Sequence, residues 1–552
     1  MKDEKKAKKT FYQGVLILTV AGFVSKVCGF LYKVPLNALL QDEMANVNAA
    51  YAVYTLLYTV STAGIPSAVS MSVSAALAKG RVRKAETVFK TAFRGLFLFG
   101  GLLSLALFLM AKPLSLLNSG GDSYLCLIAI SPALVFTAVS AVCRGYFQGH
   151  GDMKPTAVSE IAESLFKTGA GLGFAYFSLS VWGLSGRFAG AASVLGISLG
   201  VGVGAFYLYF TYLKRQKSIP APAPEEPKEP LKSVLKELLS LALPIAATSF
   251  LLNLASLIDS QCMRPLLETY YHDPFQAKNV YSDYSTGALT LCHLPGILIY
   301  PISASVIPFL TAERARKEEN AALATARSAL RTSAAFSLPC AFFLSVFASP
   351  LLSFVFRGDS EMALNAGKPL SLLGVSVFFV AWLTVSNGIL QAYGKEKLPL
   401  ISVGAGLLIK LAVTVFLTPL LGELGAPLGT VGFYGTALFL NMLFLAKETG
   451  HRLPGVLNLP VPLFLSAGGV SLSALCAFLC RGTLGNDVTL LLSALLFVLF
   501  YGISLRLFGY LSAEEWGLLP GGKPFFRLTE TLFCDHFSSK VRIFSQKNGK
   551  NR

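Results

Sequence analysis

The chain has 552 residues, of which 53% are hydrophobic and only 14% charged, and its mean hydropathy is +0.59. That composition leaves too little polar surface for a soluble globule and is that of a membrane protein. The formal net charge of +17 would suit nucleic acid, but its distribution excludes that partner. Lys and Arg gather at the N-terminus, in every second connection between apolar runs and in the C-terminal tail, which is the positive-inside pattern and places both termini in the cytoplasm.

Apolar runs long enough to cross a bilayer predict fourteen spans, roughly 11–40, 48–78, 88–111, 124–147, 156–177, 188–213, 236–262, 286–312, 328–356, 369–392, 398–421, 428–447, 460–480 and 487–510. The first follows MKDEKKAKKT but is too long, and lacks the small-residue site, for a cleaved signal peptide. It carries SKVCGFLYKVP, with Lys26 and Lys33 inside an apolar helix that Pro35 is expected to end or kink. A lysine near the bilayer centre costs about 2.5–3.5 kcal/mol, so Lys26 should face protein or water. Lys33 lies nearer the outer end, where snorkelling to the interface and a functional role are both open. The second span is rich in small residues, and Pro66 is expected to kink it.

The stretch Arg144 to Lys167, RGYFQGHGDMKPTAVSEIAESLFK, joins spans 4 and 5 and returns once: Gly145, Gln148, Gly151, Lys154 and Lys167 recur 243 positions on as Gly388, Gln391, Gly394, Lys397 and Lys410. Arg94 and Pro113 likewise recur, 237 positions on, as Arg331 and Pro350. These identities predict a duplicated unit. Six spans per unit bring both halves in from the same side, so the repeats are parallel. Glu163 and Lys167, at i and i+4 with the acid first, have the favourable orientation for an intrahelical pair that would neutralise both, a reading that the repeat weakens. The counterpart of Glu163 is Gly406, so Lys410 near mid-span has no such acid and requires an external anion or a water-filled cavity.

Residues 214–232, KRQKSIPAPAPEEPKEPLK, read as a semi-extended cytoplasmic linker. In span 7, SFLLNLASLIDSQCMRPLLE places Asp259 and Arg264 in an apolar helix. Asp259 either pairs with a cation elsewhere or serves as the coupling site for an ion or proton, and Arg264 is either a substrate contact or an interface anchor. Spans 13 and 14 have no counterpart in the repeat and read as an added hairpin. The tail from Leu511 alternates Phe, Leu and basic residues, so it either lies on the anionic inner leaflet or is disordered.

The expected fold is thus an all-α integral membrane protein of about 14 transmembrane helices, two six-helix lobes related by a parallel repeat plus a two-helix C-terminal extension. Its parts are an N-lobe over 1–213, a linker over 214–235, a C-lobe over 236–447, extra helices over 448–510 and a basic tail over 511–552. No P-loop, Ser/His/Asp cluster or HExxH occurs, and the nine cysteines form no metal-like or redox-like pair, so neither an enzyme nor a cofactor or metal is expected. Lysines within spans at 26, 33, 167 and 410 suggest a cationic cavity suited to pyrophosphate, with an apolar opening for lipid tails.

The residues SKVCGF, STAGIPSAVS and RGYFQGHGDMKPTAVSEIAES, with the two-lobed layout, resemble the stage V sporulation protein B branch of the polysaccharide flippases, in the multidrug/oligosaccharidyl-lipid/polysaccharide exporter superfamily, which also holds the lipid II flippases. The resemblance implies a V-shaped cavity between two bundles, alternating access, and transfer of an undecaprenyl-pyrophosphate-linked cell-wall or polysaccharide precursor across the bacterial cytoplasmic membrane. It implies coupling to H+, Na+ or the membrane potential, and wall-synthesis enzymes as partners. Under it Lys26 stands where lipid II flippases have a cavity Arg, and Glu163 and Lys167 stand where this branch has an acid and a base. Met71 replaces a basic residue and Glu160 a Gln that the branch usually has. Two other readings stay open: a multidrug and toxin extrusion antiporter with Asp259 as coupling site, and a non-transporting scaffold for wall-synthesis enzymes.

Overall fold

The structure is a computed structural model that describes residues 2–40, 43–62, 64–119, 122–217, 229–356, 360–450, 459–480, 485–512 and 516. Every described element is helical. A bilayer leaves no water to satisfy backbone N–H and C=O groups, so an apolar chain that crosses it must bond them internally. Eleven helical stretches are long and apolar enough to cross a membrane, and two of them, Tyr124–Gly149 and Lys397–Glu448, each contain two α-helices. The expected linker and basic tail lie largely outside the described residues, at 218–228 and 517–552.

The N-lobe comprises α1 (Lys2–Leu40), α2 (Met44–Thr62), α3 (Ile65–Ala78), α4 (Val82–Leu109), α5 (Ala111–Ser119), α6 (Tyr124–Ile130), α7 (Ala133–Gly149), α8 (Lys154–Tyr176) and α9 (Gly186–Gln216). The C-lobe comprises α10 (Leu231–Tyr271), α11 (Pro274–Asp283), α12 (Leu289–His293), α13 (Gly296–Ala315), α14 (Glu319–Val346), α15 (Ala348–Val355), α16 (Ser360–Ala392), α17 (Lys397–Leu421) and α18 (Gly425–Glu448). Helices α19 (Pro460–Leu479) and α20 (Asn486–Leu507) follow as a hairpin packed on α14 and α15.

The duplication is visible in the packing. In the N-lobe α7 lies on α3 and α4, and α8 on α9; in the C-lobe α16 lies on α13 and α14, and α17 on α18. The recurring glycines do the same work twice. Gly145 meets the α3 backbone at Pro66, where an added Cβ would stand 2.7 Å from the carbonyl oxygen, and Gly388 meets Ser303 of α13 at 2.9 Å. Gly151 and Gly394 turn the chain between helices with φ of 72° and 73°, a left-handed conformation that only glycine adopts without strain. The loss of Glu163 in the second half also has a steric reason. Gly200 of α9 leaves room for the backbone of Glu163 and Lys167, whereas at the α17–α18 crossing Gly406 leaves room for Phe433, so the small residue has moved to the other helix.

Two proline expectations change. Pro35 does not end its helix, which runs on to Leu40. Pro66 does not kink a single span: the expected second span is two helices, and Pro66 sits in the first turn of α3, where its missing N–H costs nothing. The break falls at Gly64, with φ 77°. A Cβ there would stand 2.8 Å from the carbonyl oxygen of Ala242 on α10. Gly64→Ala is therefore expected to lower stability by about 1–3 kcal/mol, read as a fall in the thermal unfolding midpoint in detergent. An unchanged midpoint would mean that this approach of the lobes is not tight.

The lobes meet at the end that carries the basic connections. Val15 and Met71 of the N-lobe join Ile302, Val306 and Leu310 of the C-lobe in one buried cluster, and Leu18, Ala21 and Met153 pack against Ala304 and Phe309. At the same end Lys84 Nζ lies 2.8 Å from Glu237 and 3.2 Å from Glu229, tying the start of α4 to the start of α10.

Candidate functional site

Beyond this closure, α1 and α8 run side by side and are stitched by hydroxyls. Ser164 donates to Ser25 at 2.8 Å, and Thr168 donates to the Cys28 carbonyl at 3.0 Å. Such bonds hold helices in lipid, where no hydrophobic force separates helix from tail. They fix Lys26, which is exposed and within electrostatic reach of His293 in the C-lobe. One turn before it, on the same face of α1, a Cβ on Gly22 would stand 3.6 Å from Ile297 of α13, so Lys26 lies on the side of α1 that borders the C-lobe. Lys33 is also exposed, two turns further along α1.

The Glu163–Lys167 pair that the i, i+4 spacing permits does not form. Arg144 of α7 donates from Nη2 to Glu163 at 2.9 Å and lies 3.8 Å from Glu160. Lys167 instead places its ammonium 5.2 Å from the Tyr51 ring centre and 6.0 Å from that of Tyr32. An arginine fork matches a carboxylate better than a lysine point charge does, so Glu163 takes the guanidinium and Lys167 is released to the aromatic faces. Among the described residues, neither Lys26 nor Lys167 has a carboxylate at ion-pair distance. Sequence reasoning placed Arg144 at the helix end without giving it a role; two acids one turn apart on α8 with a single arginine in the preceding helix was the available signal.

The C-lobe is built differently. Lys410 is almost fully buried, and the anion it requires is Asp259: Nζ lies 2.8 Å from each carboxylate oxygen and 2.7 Å from the Thr430 hydroxyl. Tyr284, in a π-helical turn at Tyr284–Ala288, donates to the same carboxylate at 3.4 Å. π-Helical turns recur at functional sites. The pair lines a small cavity of about 40 Å3 with Ser256, His293, Ser376 and Tyr434. The position equivalent to Arg144 is Asn387, which accepts from Asn441 at 2.6 Å. Arg264 belongs to neither cluster: it is exposed and lies 3.3 Å from Glu268, one turn on.

A second, larger cavity of about 570 Å3 opens between α14, α20 and the segment after α20, lined almost wholly by apolar groups such as Phe336, Phe343, Phe497 and Trp516.

Comparison with known proteins places this architecture. Residues 11–313 match the family model described as polysaccharide biosynthesis protein, and residues 288–416 match that described as MatE. The chain is 28% identical over 483 residues to an uncharacterized membrane protein, YabM, of Bacillus subtilis (strain 168), covering 86% of this chain and 87% of that protein. It is 24% identical to the lipid II flippase MurJ of the same organism, over 80% of this chain and 83% of the relative. It is 26% identical to stage V sporulation protein B, also of B. subtilis, over 81% and 85%. A crystal structure of MATE in complex with MaD3S superposes with a TM-score of 0.69 at 14% identity, covering 81% of this chain and 97% of that one. A MOP superfamily transporter from Pyrococcus furiosus, described as having a binding pocket of reverse polarity, gives 0.65 at 14% identity over 83% and 96%. The structural likenesses establish the two-lobe fold, and the family model covers more than half of the chain. This multi-pass membrane protein belongs to the polysaccharide biosynthesis protein family, in the superfamily that contains stage V sporulation protein B and the lipid II flippases.

Proposed function

We propose that the protein is a flippase that carries an undecaprenyl-pyrophosphate-linked cell-wall or polysaccharide precursor across the bacterial cytoplasmic membrane by alternating access. The observation that carries this reading is the pair of cations Lys26 and Lys167 on the adjacent helices α1 and α8, each without a carboxylate partner among the described residues. A cation held in an apolar protein without its own anion is stable where water or a ligand anion reaches it. Pyrophosphate supplies that anion, and the apolar cavity beside α20 has the volume and lining for part of an isoprenoid tail. Lys33, exposed two turns along α1 from Lys26, extends positive charge along the path the head group would follow, Arg264 is held by Glu268 instead, and Glu163 acts by holding Arg144. If the basic connections face the cytoplasm, the lobes are closed on that side and the substrate site is open outward. Membrane potential or an ion gradient supplies the drive, with Asp259 and Lys410 as the pair whose opening would couple to it.

The MurJ relative is named for lipid II, and a similar pyrophosphate lipid is the substrate proposed for this chain. Removing the protein from its cell is expected to raise an undecaprenyl-pyrophosphate glycan on the inner leaflet, measured by mass spectrometry of lipids protected from externally added reagent. An unchanged lipid profile would remove the reading.

The cation-antiporter reading places an organic cation on Asp259. That carboxylate is already occupied by the Lys410 ammonium, which weighs against it. Efflux of a cationic dye by the wild type that collapses in Asp259→Asn would restore it. Lysine variants that stop lipid transport yet keep full cellular function would favour a scaffold that recruits wall-synthesis enzymes.

A further inference from the structure

Helix α2 presents Tyr51, Tyr54 and Tyr58 at i, i+3 and i+7, one face of a helix. Adjacent rings are 5.9 Å apart between centres in both steps. The middle ring is buried, but Tyr51 is 41% and Tyr58 38% exposed. An exposed tyrosine on a membrane helix ordinarily faces the lipid interface. These two do not, because of what stands opposite. Tyr51 holds the Lys167 ammonium over its face, and Tyr58 shares an electrostatic environment with Arg144, Glu160 and Glu163. Charged groups of both signs mark this as the wet side of the helix. The proposed lipid site uses the cations of this region; it does not use the rings.

From this geometry we infer that Tyr51 and Tyr58 form a carbohydrate platform, on which the sugar rings of the transported head group stack while the Arg144–Glu160–Glu163 cluster takes their hydroxyls. The inference rests on the proposed function and assigns the glycan part of the same site. Seven residues of helix separate the two exposed rings by roughly 10 Å, the order of the length of a disaccharide. Sugar rings present C–H faces that pack on aromatic faces, and their hydroxyls require paired acceptors and donors such as carboxylates and a guanidinium. Lys167, at the Tyr51 end, sets the polarity: pyrophosphate lies at that end and the glycan extends towards Tyr58. Arg144 and Glu163 neutralise each other, which suits a neutral hydroxyl-rich ligand better than either charge alone.

The test uses the full chain in detergent and two probes, farnesyl pyrophosphate and farnesyl pyrophosphate bearing a β1,4-linked N-acetylated disaccharide. The wild type is expected to bind the glycosylated probe more tightly, by about tenfold for two stacked rings. Tyr58→Leu keeps an apolar side chain and does not touch Lys167. It is expected to reduce that preference several-fold while leaving the affinity for farnesyl pyrophosphate unchanged, and Tyr58→Phe is expected to retain it. Tyr51→Leu with Tyr58→Leu is expected to abolish the preference. An undiminished preference in the double variant would overturn the platform and leave the flippase reading intact. Failure of the wild type to bind either probe would overturn both.

Discussion

Lys410→Met is expected to destabilise the folded protein by about 3–5 kcal/mol, the cost of leaving a buried charge without its partner. The substitution retains most of the side-chain volume, so the loss reports charge and not a cavity. Among the described residues the carboxylate of Asp259 would keep only the Tyr284 hydroxyl at 3.4 Å, and the Thr430 hydroxyl would lose its 2.7 Å partner. Asp259→Leu combined with Lys410→Met removes both charges and is expected to recover most of the loss, because an apolar pair of similar volume replaces a desolvated ion pair at little net cost. Thermal unfolding in detergent of the two single variants and the double variant checks this. Equal losses in the single and double variants would show that the pair is not the main partner of either residue.

The second large effect concerns the lysines of α1 and α8. Lys26→Ala and Lys167→Ala each remove a charged donor to the proposed pyrophosphate, at about 1.5–3 kcal/mol apiece, and so weaken binding of farnesyl pyrophosphate roughly ten- to a hundredfold each. Neither residue forms a salt bridge among the described residues, so folding should survive both changes, in contrast to Lys410→Met. Lys167→Arg keeps the charge over the Tyr51 face and is expected to keep most of the affinity. Calorimetric titration of the three variants distinguishes the outcomes. Unchanged affinity in the double alanine variant would remove the lysines from the site.

Much of the frame was legible in the chain because it is written in local terms. Hydropathy marks helices, and the recurrence of Gly151 as Gly394 reflects a turn that needs positive φ. The two charge clusters were not legible to the same degree, because their partners are set by tertiary packing. Asp259 and Lys410 are 151 positions apart, and their local sequence leaves open a cation partner or a coupling role for the one and an external anion or a water-filled cavity for the other. Glu163 had two cations within reach, one on its own helix and one on α7; sequence spacing favours Lys167, and guanidinium geometry decides for Arg144. The tyrosines of α2 raised no signal, since an aromatic stripe at helical spacing in an apolar span reads as core until the charges facing it are seen. Pro66 misled because its effect depends on whether it falls inside a helix or in the first turn, and Gly64 settles that only through its approach to α10.

The proposed function requires Lys26 and Lys167 to serve the movement of a pyrophosphate-linked glycan lipid. Its most direct test is translocation of a labelled undecaprenyl-pyrophosphate disaccharide in proteoliposomes, read by the lipid's accessibility to an added reagent. Protein-dependent translocation is expected of the wild type, and its near loss in Lys26→Ala with Lys167→Ala, both proteins being equally folded and inserted. Translocation at the wild-type rate in that variant, or none in the wild type under an imposed membrane potential and ion gradient, would contradict it.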